Sequence, residues 1–135
     1  MTKQILDTIA AKRAQTIVNN AIAKPKLDAK DVDNLVTKTL GVLQENGVYA
    51  CFLFLSSRSR GKDKKVAEAI RAQLLELSTE DLPFGWELSK GRDDKLEYVS
   101  DVICAELDPL LMTKNVFEQT LIYARYGAKA RDQQG

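Results

Sequence analysis

The sequence contains no histidine, and its 135 residues include only two cysteines, three prolines and one tryptophan. Without histidine, the chain cannot form a Ser-His-Asp or Cys-His catalytic site, a His-ligated zinc site or an acid–base pair that depends on an imidazole. The cysteines, Cys51 and Cys104, stand among apolar residues, a setting typical of reduced buried thiols rather than of a disulfide or a metal pair. We therefore expect neither a nucleophilic thiol nor a bound metal or cofactor.

Long apolar runs are absent as well. No stretch of about 18 apolar residues occurs, and residues 1–12 contain no apolar segment of the secretory type. The remaining composition is that of an ordinary globular protein, with 44% hydrophobic residues, 29% charged residues and a net charge of +1. We expect one domain over residues 1–135, located in the cytoplasm and without membrane contact.

The small net charge conceals an uneven distribution along the chain. Residues 1–75 hold 13 basic and 7 acidic side chains, residues 76–108 hold 3 and 10, and residues 109–135 hold 4 and 2. The densest basic stretch is residues 58–65, with five positive charges and one negative charge. Such a stretch either contacts phosphates without reading base sequence or is a solvated loop, and for an isolated cluster the solvated loop is the commoner case.

Apolar residues recur at helical spacing through most of the chain. Residues 78–92 interrupt the pattern and are predicted to form a long connection in which Phe84 and Trp86 pack back onto the core. The predicted helices cover residues 3–23, a segment from a cap at Asp28 or Asp31 to Asn46-Gly47, residues 62–77, residues 93–107, and a last segment that Thr113 caps after a break at Asp108-Pro109.

Residues 48–55 are too apolar to show a helical or a strand period. Their neighbours are predicted helices, and a lone strand would have no partner, so we expect a central core helix. The sequence thus predicts an all-α fold, a single-domain bundle of five to six helices.

The acidic residues Asp93, Asp94, Glu97 and Asp101 could supply oxygen ligands to magnesium, because spacings of three and four place several of them on one helical face. Acidic side chains at the start of a helix also interact favourably with the helix dipole. This second explanation accounts for Asp93 and Asp94 fully, so we expect no metal site.

Tyrosines alternate with basic residues in the last predicted helix, where Tyr123, Arg125, Tyr126 and Lys129 lie close together. This combination can stack on and neutralise single-stranded nucleic acid. Tyrosines at such spacing are more often half-buried packing residues with solvated hydroxyls, and we expect that role for Tyr123 and Tyr126.

Two longer segments resemble a known family. Residues 43–57 contain the end of a predicted helix, an Asn-Gly pair and then a segment rich in Ala, Phe and Leu. Residues 116–130 belong to the predicted closing helix, which carries aromatic and basic residues. Both are similar to segments of the Cmr small subunit of type III-B CRISPR effector complexes. The opening residues 11–15 also resemble the start of that family, so the similarity extends over the length of the chain.

This resemblance implies a non-catalytic subunit of an RNA-guided, antiviral effector complex. Its partners would be the other subunits of the complex, further copies of itself and the duplex of guide and target RNA. Copies would stack into a short filament and line the target-RNA groove with basic residues that bind phosphates without base readout. The expected RNA-binding residues are Lys12, Arg13, Arg58, Arg60, Lys62, Lys64, Lys65, Arg125 and Lys129.

Three other functions remain open at this stage. The chain could be the small subunit of a type III-A complex, with nearly the same role and different partners. It could be a helical adapter or regulatory protein that binds a protein partner through apolar surface and binds no RNA. It could also be a magnesium-dependent nuclease that uses Asp93, Asp94 and Glu97.

Overall fold

The computed structural model describes residues 3–22, 29–58, 60–88 and 95–134, and the regular secondary structure in these ranges is entirely helical. The predicted all-α bundle of five to six helices is thereby confirmed. The elements are α1 (Lys3–Ile22), α2 (Ala29–Asn46), α3 (Val48–Ser57), α4 (Gly61–Glu76) with a following π-helical turn (Leu77–Asp81), α5 (Lys95–Tyr98) with a following π-helical turn (Val99–Ile103), and α6 (Leu107–Gln134).

The longest helix, α6, packs against α1 and α2 along most of its length. Tyr123 of α6 donates a hydrogen bond to Asp7 of α1, and Arg131 of α6 donates one to Asn19 of α1. Since both pairs advance in the same direction along the two helices, α1 and α6 run parallel. The carboxyl termini of α1 and α6 therefore point towards the same end of the bundle.

One hydrophobic core contains residues from all six helices. Helix α3 lies against this core through Val48, Cys51, Phe52 and Leu55, which are all buried. The Phe52 ring meets Phe117 of α6 edge to face, with ring centroids 6.0 Å apart. The prediction of a central core helix over residues 48–55 is confirmed, since the apolar run packs as a helix among helices.

The end of α2 at Asn46-Gly47 is confirmed, and Gly47 makes the turn into α3. The backbone of Gly47 has φ of 96°, a conformation that residues with a Cβ rarely adopt. Its N–H donates to the carbonyl of Leu43 (3.0 Å), and its own carbonyl accepts from the N–H of Cys51 (3.1 Å). The last turn of α2 and the first turn of α3 are therefore hydrogen-bonded through this glycine.

The predicted break at Asp108-Pro109 and the cap at Thr113 are wrong. Helix α6 begins at Leu107, so Pro109 lies in its first turn, where a backbone N–H has no intrahelical acceptor and its absence costs nothing. Thr113 is buried within the helix, and its hydroxyl donates to the carbonyl of Pro109 (2.7 Å). A proline that signals a helix end from sequence is here part of a helix start.

Other helix limits also differ from the predictions. Asp31 lies in the first turn of α2 rather than at its cap, and Asp28 is outside the described residues. The helix predicted over residues 93–107 is described from residue 95 and ends after Ile103. The predicted connection starts later than residue 78, because the chain continues α4 as a π-helical turn to Asp81.

A buried pair of hydroxyls joins the segments that follow α4 and α5. Ser78 and Tyr98 are fully buried, and their hydroxyl oxygens are 2.8 Å apart. Because Ser78 donates its single hydroxyl proton to the carbonyl of Leu75 (2.7 Å), Tyr98 is the donor to Ser78. Beyond this pair, Phe84 and Trp86 pack against the core, as predicted.

Two glycine-to-alanine substitutions separate backbone strain from helix propensity. Gly47→Ala is expected to lower the free energy of unfolding by about 1–3 kcal/mol, because φ of 96° disfavours any residue with a Cβ. Gly41→Ala, inside α2 with no heavy atom within 4 Å of the added methyl group, is expected to raise it by about 0.5–1 kcal/mol. Urea denaturation of both variants measures the difference, and a destabilised Gly41→Ala would contradict the account of α2.

Candidate nucleic-acid interface

The basic stretch of residues 58–65 spans the turn from α3 into α4 and the first turn of α4. Gly61, with φ of 66°, begins α4 and allows the chain to reverse there. The side chains of Arg60, Lys62, Lys64 and Lys65 are exposed around this helix start. Arg58, the remaining cation, is half-buried with its guanidinium 4.6 Å from the centre of the Phe54 ring and 3.9 Å from the Asp63 carboxylate.

The start of α2 connects this stretch to the carboxyl-terminal half of α6. The Lys62 ammonium lies 3.6 Å from a carboxylate oxygen of Asp31, and Nε of Arg125 lies 4.0 Å from a carboxylate oxygen of Asp33. Asp31 and Asp33 are separated by about 3 Å of helix rise and about 200° of rotation, so their side chains point to different sides of α2. Cations from residues 58–65 and from α6 therefore approach the same turn of α2 from different sides.

Lys129 follows Arg125 by one helical turn, so it lies on the same side of α6. Seven of the nine predicted RNA-binding residues are thus at one end of the bundle, which we call the basic end: Arg58, Arg60, Lys62, Lys64, Lys65, Arg125 and Lys129. Residues separated by about sixty positions in sequence are brought together by the fold.

Tyr126 adds an aromatic ring to the basic end. It was expected to be half-buried, but 63% of its surface is exposed. Lys129 is three residues further along α6 and therefore neighbours Tyr126 on the helix surface. Tyr123, by contrast, is half-buried as expected, and its hydrogen bond to Asp7 raises the pKa of its phenol.

Lys12 lies apart from the basic end, on the exposed face of α1. It borders a groove of about 820 Å³ between α1 and α6, together with Tyr123 and Arg131. The structure therefore separates Lys12 from the cluster around α2, although the resemblance assigns all of these residues the same role.

Arg13 has surroundings that differ from those of every other predicted RNA-binding residue. Its Nε donates to Asp81 (2.7 Å), Nη1 donates to Gln73 (2.9 Å) and Glu76 (2.8 Å), and Nη2 donates to Glu80 (2.9 Å) and Asp81 (3.2 Å). A guanidinium has five N–H groups, and all five are used. The side chain is only 15% exposed.

These carboxylates, with the hydrogen bond to Asp81 first, raise the pKa of Arg13 further above its already high value. The contacts join α1 to the last turn of α4 and to the π-helical turn after it. Since no N–H of Arg13 is left for a phosphate, we exclude this residue from the candidate interface. In the sequence, this structural role is indicated by Glu76, Glu80 and Asp81, which stand close together at the start of the acidic block of residues 76–108.

The end of the bundle opposite the basic end is acidic. Helix α6 runs from Asp108 in its first turn to Arg125, Lys129 and Arg131 in its carboxyl-terminal half. The exposed residues Asp101 and Glu106 border a cleft with Pro109 at the start of α6. We call this part of the bundle the acidic end, and the charges along α6 thus give the folded bundle a polarity.

Most charges of α4 are arranged unfavourably for the helix itself. Lys62, Lys64 and Lys65 lie at its amino terminus and Glu76 lies in its last turn, with Asp63 as the one acidic residue of the first turn. The helix dipole favours the reverse arrangement, with acidic residues first and basic residues last. Apart from Asp63, these charges therefore oppose the dipole of α4, and the contact of Glu76 with Arg13 lies outside the helix.

The carboxylates considered as magnesium ligands do not form a site in the part of the chain that the structure describes. Glu97 and Asp101 are exposed, and Asp93 and Asp94 lie outside the described residues. Among the described residues, no group of three or more His, Cys, Asp and Glu side chains is arranged to hold a metal ion. Burial of Cys51 raises the pKa of its thiol to about 12, a value that opposes thiolate chemistry.

Within the described ranges, every helix is either too short or too polar to cross a membrane. Comparison of the chain with protein-family models, with curated proteins and with solved structures found no match. The chemistry of the basic end, the acidic end and the Arg13 contacts is therefore the basis for assigning a function.

Replacement of Arg13 tests its structural role. Arg13→Ala is expected to lower the free energy of unfolding by about 1–3 kcal/mol, because it leaves Gln73 and three carboxylates without their shared donor. Arg13→Lys retains the charge but not the five-donor geometry, so an intermediate loss is expected. Lys12→Ala, on the exposed face of α1, should change the value by less than about 0.5 kcal/mol. Equal stabilities of the Arg13→Ala and Lys12→Ala variants in chemical denaturation would contradict this role.

Proposed function

We propose that this chain is a non-catalytic, RNA-binding small subunit of a type III CRISPR effector complex, of the kind found in type III-B complexes. The observation that carries the proposal is the convergence of basic residues from two distant segments at one end of the helical bundle. The resemblance of residues 43–57 and 116–130 to the Cmr small subunit supplies the biological setting.

The basic end is suited to phosphates rather than to bases. Arg60, Lys62, Lys64 and Lys65 are exposed, and the Lys62 ammonium lies 3.6 Å from a carboxylate oxygen of Asp31. An ion pair of an exposed lysine at this separation is weak, so an incoming phosphate competes with it effectively. Flexible cations at a helix start neutralise phosphates without selecting a sequence, as a subunit that follows a guide-defined target requires.

Tyr126 gives the same surface a means to contact bases. An exposed tyrosine beside Lys129 can stack on an unpaired base while the ammonium binds the adjoining phosphate. Stacking tolerates any base, so this contact also leaves sequence recognition to the guide. Lys12 lies on a different face of the bundle and would contact a more distant part of the RNA.

The charge polarity of the bundle supports repeated stacking of copies. A head-to-tail contact joins two different patches, and it closes into a ring or continues as a filament according to its rotation. The acidic end of one copy complements part of the basic end of the next, and the remaining cations face the RNA. In this arrangement the subunit supplies surface and charge, and other subunits cleave the RNA.

A helical adapter that binds a protein and no RNA is the second candidate, and exposed apolar side chains favour it. Leu107 and Leu111, one turn apart at the start of α6, are 67% and 48% exposed. Tyr49 and Leu53, one turn apart on α3, are 42% and 49% exposed. A small subunit of a type III-A complex would use the same chemistry with other partners.

Affinity purification from the native host separates these functions. The tagged full-length chain is expected to copurify with several larger proteins and with short RNAs that derive from CRISPR spacers, which mass spectrometry and RNA sequencing identify. The proteins recovered distinguish type III-B from type III-A complexes. Recovery of the chain alone, or with one unrelated protein and no RNA, would overturn the proposal and favour the adapter.

The salt dependence of RNA affinity tests the location of the interface in the purified complex. The double variant Lys64→Gln, Lys65→Gln is expected to reduce the slope of log K against log salt by about 1.4, since each lost contact to a single strand contributes about 0.7. Lys38→Gln, Lys95→Gln removes the same charge from exposed positions elsewhere on the bundle. An equal effect of the two double variants would show that only net charge matters and would place the RNA away from the basic end.

A further inference from the structure

A cleft of about 390 Å³ lies at the acidic end of the bundle, remote from the basic end. We call it the Trp86 cleft. Its volume is at the small end of the range for ligand pockets. The lining residues come from the segment after α4, from the π-helical turn after α5 and from the start of α6: Phe84, Trp86, Asp101, Val102, Ala105, Glu106 and Pro109.

Two aromatic rings form one wall of the Trp86 cleft. The ring centres of Phe84 and Trp86 are 4.7 Å apart, with an angle of 37° between the ring planes. Gly85 lies between them with φ of 67°, a conformation that lets the chain turn there without a Cβ clash. Both side chains are half-buried against the core, so the aromatic wall is held in place rather than free in solvent.

Carboxylates border the same space. Asp101 and Glu106 are exposed residues that line the cleft, and the Ser100 hydroxyl donates to a carboxylate oxygen of Asp101 (3.1 Å). Among the described lining residues none is basic. A pocket with an aromatic wall and an anionic rim attracts a cation, because the ring faces and the carboxylates both favour positive charge.

Arginine is the cation that suits this combination best. Its guanidinium is planar and weakly hydrated, so it stacks on aromatic faces at a small cost of desolvation. Its N–H groups point outward in the plane of the guanidinium. They can therefore reach carboxylates at the rim of the cleft while an aromatic ring covers the face of the guanidinium. An ammonium group is more strongly hydrated and has no plane to stack.

We propose that the Trp86 cleft binds an arginine side chain of a partner protein. The partner presents a basic segment, and its arginine stacks on the outer face of the Phe84–Trp86 pair while Asp101 and Glu106 bind the guanidinium. This site does not depend on the RNA-binding role, because it lies at the opposite end of the bundle and shares no residue with the basic end. It adds a point of specific recognition to an acidic surface that would otherwise attract any cation.

Trp86 is the only tryptophan of the chain, so its fluorescence and its indole N–H signal in NMR spectra report on this cleft alone. The full-length chain is titrated with N-acetyl-arginine amide at low salt, and N-acetyl-glutamine amide and N-acetyl-leucine amide serve as neutral probes. Arginine amide is expected to give a saturable change with a dissociation constant in the millimolar range, and the neutral probes are expected to give none.

Charge-neutralising variants test the role of the rim. Glu106→Gln is expected to weaken the binding of arginine amide by about threefold, a loss typical of one partly exposed charge contact. Asp101→Asn should weaken it similarly. Glu68→Gln removes an exposed charge from α4 outside the cleft and should leave the affinity unchanged. The dispersion of the NMR spectrum shows that each variant is folded.

Two results would overturn the proposal. One is an indole signal that does not move with arginine amide or that moves equally with glutamine or leucine amide. The other is the same affinity in the Glu106→Gln, Asp101→Asn and Glu68→Gln variants. No RNA is present in these titrations and the cations of residues 58–65 are unchanged, so a failure here leaves the RNA-binding proposal intact, and the reverse also holds.

Discussion

The packing of α6 along α1 and α2 is the constraint on which the rest of the structure depends. Helix α6 has 28 residues and is therefore about 42 Å long, enough to extend from one end of the bundle to the other. Its buried residues recur through Val116, Phe117, Leu121, Ala124 and Ala128, so a continuous apolar stripe fixes its rotation against the core. With α6 fixed in this way, Asp108 in its first turn and the cations of its carboxyl-terminal half mark the two ends of the molecule.

Helix α4 carries its charges in an order that lowers its own stability. Its lysines lie near the amino terminus and Glu76 lies in the last turn, an arrangement that the helix dipole disfavours. The contribution of each charge to the dipole term is below about 1 kcal/mol, which the burial of Val66, Ile70 and Leu74 easily offsets. A small loss of local stability is thus compatible with a large effect on the electrostatic surface. Arg13 limits the loss at the carboxyl-terminal end of α4, because it gathers three carboxylates around one guanidinium.

The charged clusters differ in how their side chains are held. At the basic end, the ion pairs of Lys62 and Arg125 have separations of 3.6 and 4.0 Å, and the Lys62 side chain is 63% exposed, so solvent and salt weaken its pair. Around Arg13, the contacts are between 2.7 and 3.2 Å and the guanidinium is largely buried. An exposed lysine such as Lys62 can exchange its carboxylate for a phosphate, whereas the Arg13 contacts join two helices. Two residues with the same predicted role, Arg13 and Lys62, therefore have different surroundings and different roles.

The helical fold class, the core helix at residues 48–55 and the turn at Gly47 follow from the sequence alone, because apolar spacing, neighbouring helices and a glycine after asparagine are local signals. Pro109 misled the prediction, since a proline in the first helical turn and a proline after a helix end look alike in sequence. The uneven distribution of charge is also visible in the sequence, but the contacts that the charged residues make are not. Only the tertiary structure brings residues 58–65 and Arg125 to the same turn of α2, pairs Arg13 with Glu76, Glu80 and Asp81, and places Trp86 and Glu106 in one cleft. These contacts depend on the parallel or antiparallel order of helices, which burial of the complete core determines and no single segment encodes.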